Sequence, residues 1–61
     1  PRIAAYLKKT IRHTDFRVRK ETVLALARLG STETGLLLME GLKDSDRKIR
    51  IYALRALAAA K

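Results

Sequence analysis

"HTDFRVR", His13 to Arg19, and "DSDRKIR", Asp44 to Arg50, are two versions of one phrase set thirty-one residues apart. Each runs from a turn into the start of a helix and ends on an arginine behind a β-branched residue. Sliding the chain on itself by that interval pairs Leu7 with Leu38, Ile11 with Leu42, Asp15 with Asp46 and Val18 with Ile49. It also pairs Arg19 with Arg50, Val23 with Leu54, Ala25 with Ala56 and Leu26 with Leu57. Apolar positions stay apolar and turn positions stay turns. A period near thirty predicts a solenoid built of stacked units, each too thin to bury its own apolar side.

Each unit carries two helix signals. Ile3, Leu7 and Ile11 repeat at a spacing of four and predict one apolar stripe, continued in the second unit by Leu38 and Leu42. Val18, Thr22, Ala25, Leu26 and Leu29 predict the stripe of the following helix, echoed by Ile49, Ala53, Ala56, Leu57 and Ala60. Asp15 and Asp46 stand where a side-chain oxygen can accept from the free N–H groups of a first turn. Gly30 suits a C-cap, and Ser31 or Thr32 the cap of the next helix. The spacing predicts helices over 2–12, 16–29, 33–43 and 47–60, and no strands. The fold class is all-α: one fragment over 1–61, with a first repeat at 1–30 and a second at 31–61. Gly35 and Gly41 fall inside the third helix, where close approach of a neighbouring helix is the ordinary reason for glycine and local fraying the other.

Sixty-one residues without a cysteine and with one histidine hold neither a disulfide nor a metal site, so helix packing must supply the stability. No apolar run approaches a membrane span. The lack of cysteine suits a reducing compartment, and a cytoplasmic location is expected. The start at Pro1 reads as a piece of a longer protein. The net charge is +8 and uneven: +4 over residues 1–12, +2 over 13–30, −3 over 31–46 and +5 over 47–61. Such a surplus favours an anionic partner.

At "LKDSDRKIRIYALRAL", Leu42 to Leu57, the chain resembles the HEAT repeat, in the short variety also seen in phycobilisome-lyase-like proteins. The family phrase is a leucine-spaced helix followed by D-x-D-x-x-V-R-x-x-A-x-x-A-L. The first unit, "IRHTDFRVRKETVLAL", Ile11 to Leu26, departs from it at His13, where the family has Asp, and at Thr22, where it has Ala. The resemblance implies an armadillo-type α-solenoid of antiparallel helix pairs. It also implies a side-chain ladder between successive repeats, with roles for Asp44 and Arg50 and, as the matching arginine of the first unit, Arg19. His13 brings no carboxylate to that ladder, which weakens the expected rung at Arg19.

No nucleophile–base–orienter arrangement and no glycine-rich phosphate loop is present, so the reading is of a protein that is not an enzyme and takes no cofactor. Asp44 and Asp46 read as a turn and a cap. The remaining candidates lie on the surface. Projected away from the core stripes, the second helix of each unit presents Arg17, Lys20, Glu21, Leu24 and Arg28, then Lys48, Ile51, Tyr52, Arg55 and Ala59. In HEAT-like stacks these helices line the concave side. Arg17, Lys20, Arg28, Lys48, Tyr52 and Arg55 are therefore the expected partner-binding residues. Arg17, Arg47 and Lys48 also stand in first turns, where the helix dipole disfavours cations.

The expected function is a protein-interaction scaffold that holds an acidic or extended protein partner on a basic concave face. Binding of a nucleic-acid phosphate backbone along the same stripe is the second reading, and a regulatory segment of a larger enzyme the third. The third helix, "ETGLLLMEGL", shows apolar groups on nearly every side, since Leu36 and Met39 fall away from the Leu38–Leu42 stripe. That predicts further repeats, or self-association through open repeat ends, because an end helix should be polar outside.

Overall fold

A computed structural model of the chain describes residues 2–30 and 32–59. Four helices follow one another: α1 (Arg2–Thr10), α2 (Phe16–Leu29), α3 (Thr32–Gly41) and α4 (Arg47–Ala59). There is no strand among the described residues. α1 and α3 stop two residues short of their expected ends, where the chain turns off at Ile11–Arg12 and Leu42–Lys43. Thr32 opens α3 as its first residue. Ser31, the other candidate cap there, and Ala60, expected in the last stripe, lie outside the described residues.

The joints inside the two repeats, α1 to α2 and α3 to α4, share three matching bonds. In the first, the Asp15 N–H donates to His13 Nδ1 at 3.0 Å; in the second, the Asp46 N–H donates to Asp44 Oδ1 at 2.8 Å. The next bond caps the helix: Arg17 N–H to Asp15 Oδ1 at 2.9 Å, and Lys48 N–H to Asp46 Oδ1 at 2.8 Å. Then an arginine reaches back across the turn, Arg19 Nη1 to the His13 carbonyl at 2.8 Å and Arg50 Nη1 to the Asp44 carbonyl at 2.6 Å. His13 thus keeps the hydrogen-bond half of the family aspartate's role, because an imidazole nitrogen and a carboxylate oxygen are both acceptors. Gly30 ends α2 at φ 59°, a left-handed conformation that favours glycine, and its N–H donates to the Leu26 carbonyl at 3.4 Å.

The ion pair between repeats differs from the expected rung. Arg19 does not look for an acid at position 13. Its guanidinium closes on Asp44 of the second repeat, Nε to Oδ2 at 2.9 Å and Nη2 to Oδ1 at 3.2 Å. Asp44 therefore gives its carboxylate to Arg19 and only its carbonyl to Arg50. The missing acid at position 13 leaves the Arg19 rung intact. Both partners are largely buried, at 15% and 6% side-chain exposure. Arg19 is the larger clamp: one fork holds the His13 and Thr14 carbonyls of its own joint and the carboxylate of the next.

Beside this rung lies the core. Val23 and Leu26 of α2 and Ile49 and Ala53 of α4 are fully buried, with Leu7, Ile11 and Leu38 completing the cluster. Fully burying each of the larger side chains contributes about 1.5–3 kcal/mol. The buried arc of α2 is turned toward Val23, which the expected stripe left out, and leaves Val18 and Ala25 of that stripe half-buried, because α2 packs against α3 and α4 as well as α1. Leu29 and Ile3 are about half exposed, contrary to the expected stripes. Leu29 is the last residue of its helix. Ile3 has Thr34 as its counterpart in the second repeat; Thr34 is buried because the first repeat lies against that side, and nothing covers Ile3. At Thr22, where the family has Ala, the buried hydroxyl is shared between Thr10 Oγ1 at 2.6 Å and the Val18 carbonyl at 2.8 Å.

The two glycines of α3 separate on geometry. A Cβ on Gly41 would lie 2.9 Å from Ala53 Cβ and 3.3 Å from Val23 Cγ2, so α3 can sit this close to α2 and α4 only without a side chain there. A Cβ on Gly35 would meet nothing within 4 Å. Gly41→Ala should therefore destabilise by about 1–3 kcal/mol through overpacking. Gly35→Ala should stabilise by up to about 1 kcal/mol through helix propensity. Urea unfolding followed by circular dichroism measures both; equal shifts of one sign would contradict the close approach.

Candidate interaction surface

α2 packs directly against α4, so their outward sides form one continuous face. Of the cations expected on it, Arg17 and Arg28 of α2 and Lys48 and Arg55 of α4 are exposed, and Lys20 of α2 is half-buried. Among the described residues, the side chains of Lys20, Arg28, Lys48 and Arg55 make no hydrogen bond or ion pair. Arg17 is different. Its guanidinium turns back to the carboxylate that caps its own helix, Nη2 to Asp15 Oδ2 at 3.2 Å and Nε to Asp15 Oδ1 at 3.3 Å. Those bonds hold the Asp15 carboxyl below its ordinary range and raise Arg17 above its own. They also answer the dipole penalty of a cation in a first turn. Arg17 thus brings a partly neutralised charge to the face.

Tyr52 is not the exposed aromatic the sequence suggests. It is half-buried and packed against the core cluster, one turn along α4 from Ile49. Ile51 sits at the border of exposure and Leu24 is half-buried. Exposed apolar groups concentrate elsewhere. Leu36 and Met39 of α3 and Leu54 of α4 are 66%, 53% and 59% exposed, and Ile3 and Tyr6 of α1 are 54% and 64% exposed.

A second ion pair crosses between repeats and has no motif in the sequence. Arg12 Nη2 donates to Glu40 Oε1 at 2.6 Å, joining residues twenty-eight apart. The only trace of it in the sequence is that charges of opposite sign occupy the ends of the first helices of the two repeats. The bond to Arg12 and its positive charge hold the Glu40 carboxyl below its ordinary range, with Lys43 and Lys8 adding smaller attractions. Glu40 also lines a shallow groove of about 510 Å³ between α1 and α3, with Ala4, Ala5, Lys8, Glu33, Leu36 and Leu37. A similar groove on α1 and α2 carries Tyr6, Leu7, Arg17, Val18, Glu21, Thr22 and Ala25. The described residues contain no group of three metal-ligating side chains, and no described helix is long and apolar enough to cross a membrane.

Because folding lowers the Glu40 pKa, the stability it adds is fully present above the unfolded-state value, about 4.3 for glutamate. It is lost as pH falls through the lower folded value. Wild type should melt above Glu40→Gln at neutral pH, and the gap should close on acidification below the ordinary carboxylate range. Thermal melts of both proteins across that range check this; a gap that persists in strong acid would contradict it.

Neither the comparison with curated proteins nor that with solved structures finds a match. A protein-family model for HEAT repeats matches residues 1–58, nearly the whole chain. With four helices, two joints that share three matching bonds, and an arginine–aspartate rung between the units, the chain belongs to the HEAT-repeat family.

Proposed function

We propose that this chain is a non-catalytic scaffold segment that holds an acidic, extended protein partner along the outer face of α2 and α4, the concave side of a HEAT stack. HEAT repeats generally mediate protein interactions. The observation that carries the finer reading is the set of four unpaired cations, Lys20, Arg28, Lys48 and Arg55, on neighbouring helices of one face. Solvated carboxylates of a partner gain from such a row chiefly in steering and register, and the gain is screened by salt. Arg17 contributes less because Asp15 already holds it, and Tyr52 supports the face from beneath as packing. A cytoplasmic location belongs to the same proposal.

Nucleic acid would meet the same cations through its phosphates. Aromatics on which bases could stack are few: Tyr52 is packed against the core, which leaves Tyr6 on α1 and Phe16 at the start of α2 exposed. Protein carboxylates are therefore the favoured ligand chemistry.

Fluorescence anisotropy with a labelled glutamate-rich peptide, and separately with single-stranded DNA and RNA, tests the reading at low and high salt. The peptide should bind at low salt, and the double reversal Arg28→Glu with Arg55→Glu should weaken it by about tenfold or more, with the helical circular dichroism unchanged. Peptide binding that the reversal leaves untouched would remove the outer face from the account. Tight, salt-sensitive binding of the nucleic acids alone would replace the partner class.

A further inference from the structure

Histidine is the side chain that ordinarily changes charge between about pH 5 and 8, and this chain has one, His13. It stands where the second repeat has Asp44. Both residues make the same bond: each accepts the N–H of the aspartate two residues on, at 3.0 Å on His13 Nδ1 and at 2.8 Å on Asp44 Oδ1. The two acceptors answer acid differently. A carboxyl group keeps an oxygen that accepts whether or not it holds a proton. An imidazole nitrogen accepts only while it is bare, and in the protonated ring both nitrogens are donors. On that ring Nδ1–H faces the Asp15 N–H, donor against donor, and the bond is gone.

The loss reaches beyond one bond. Arg19 Nη1 holds the carbonyls of His13 and Thr14, at 2.8 and 3.0 Å, in the turn that the Nδ1 bond closes. The same guanidinium holds Asp44 through Nε and Nη2. The turn at His13 is therefore one arm of the clamp that joins the repeats.

The charges around His13 offer the protonated ring no substitute bond. From α2 and its cap come Asp15, Arg17 and Arg19. Asp15 is near enough to feel a charge on the ring. Both its oxygens are already taken by Arg17, Oδ1 by the backbone N–H and Nε and Oδ2 by Nη2. From α1 and its end come Lys8, Lys9 and Arg12, the last bonded to Glu40. The C-terminal end of α1 attracts a cation, but Lys8 and Lys9 already stand in its last turn. Across the repeat boundary, Asp44 is paired with Arg19.

We propose that the α1–α2 joint is a proton-responsive hinge: a proton on His13 Nδ1 breaks the bond from the Asp15 N–H and loosens the Arg19 clamp, while the matching α3–α4 joint, built on a carboxylate, holds. Because the bond exists only with the bare ring, the stability it adds is complete above the value of a free imidazole, about 6.5, and is lost as the pH falls through that range. The proton acts on how α1 meets α2, and it reaches the second repeat through the one guanidinium that the two joints share.

The two joints are each other's control. Amide NMR spectra of the wild-type chain from about pH 8 to about pH 5.5 follow the Asp15 and Asp46 N–H groups in one sample. The Asp15 signal should shift in a single step with the His13 ring signals, and the Asp46 signal should stay in place. Urea unfolding over the same range should show the wild-type folding constant falling by about threefold to tenfold. His13→Asp, which puts the acceptor of the second joint into the first, should hold its folding constant level. Asp15 and Asp46 amides that move alike would overturn the proposal, and this comparison needs no variant. A wild type whose stability stays level or rises on acidification would also overturn it, as would a fall that His13→Asp shares in full.

Discussion

The bidentate bond from Arg19 to Asp44 is the constraint on which the stack depends. It sits at the point where three pieces of chain must be fixed together: the joint between α1 and α2, the start of α2, and the joint between α3 and α4. One guanidinium satisfies all three because its donors are rigid and planar. A lysine could reach the carboxylate but could not also hold two carbonyls in fixed directions. With the joints locked in this relation, Val23 and Leu26 are aimed at Ile49 and Ala53, and α3 comes down on Gly41. The apolar burial supplies most of the favourable free energy; the rung sets the register in which it is gained.

This explains why the repeated phrase was such a clear guide to the fold. Turn, aspartate cap, β-branched residue and arginine are local features with fixed offsets, and each makes its bond within six residues. The helix order, the caps at Asp15 and Asp46 and the left-handed Gly30 were legible for that reason. The partner of Arg19 was not. The acid at the matching place in its own repeat is replaced by His13, and the true acid lies twenty-five residues on. Only the stacking of units reveals it. Arg12 and Glu40 were hidden for the same cause, and so was the turn of the α2 core toward Val23.

The surface divides into two parts with different logic. The proposed outer face of α2 and α4 rests on cations placed by helical projection, although projection misplaced Tyr52, which packs against the core. The most exposed large apolar side chains stand on α1, on α3 and at Leu54 of α4, and the charges beside them differ between the two repeats. What makes them unlike is a change of charge at Lys9 and His13, two residues that a comparison of apolar positions passes over.

The central claim, that the rung between repeats sets the register of the whole chain, is tested most directly by a double-mutant cycle on Arg19 and Asp44. Asp44→Asn keeps an oxygen for the Asp46 N–H and removes only the charge; Arg19→Met keeps much of the stem and removes the fork. Equilibrium unfolding of the two single variants and the double should give a coupling energy of about 1–3 kcal/mol, with the double variant little worse than Arg19→Met alone. Losses that simply add, with no coupling between the two positions, would contradict it.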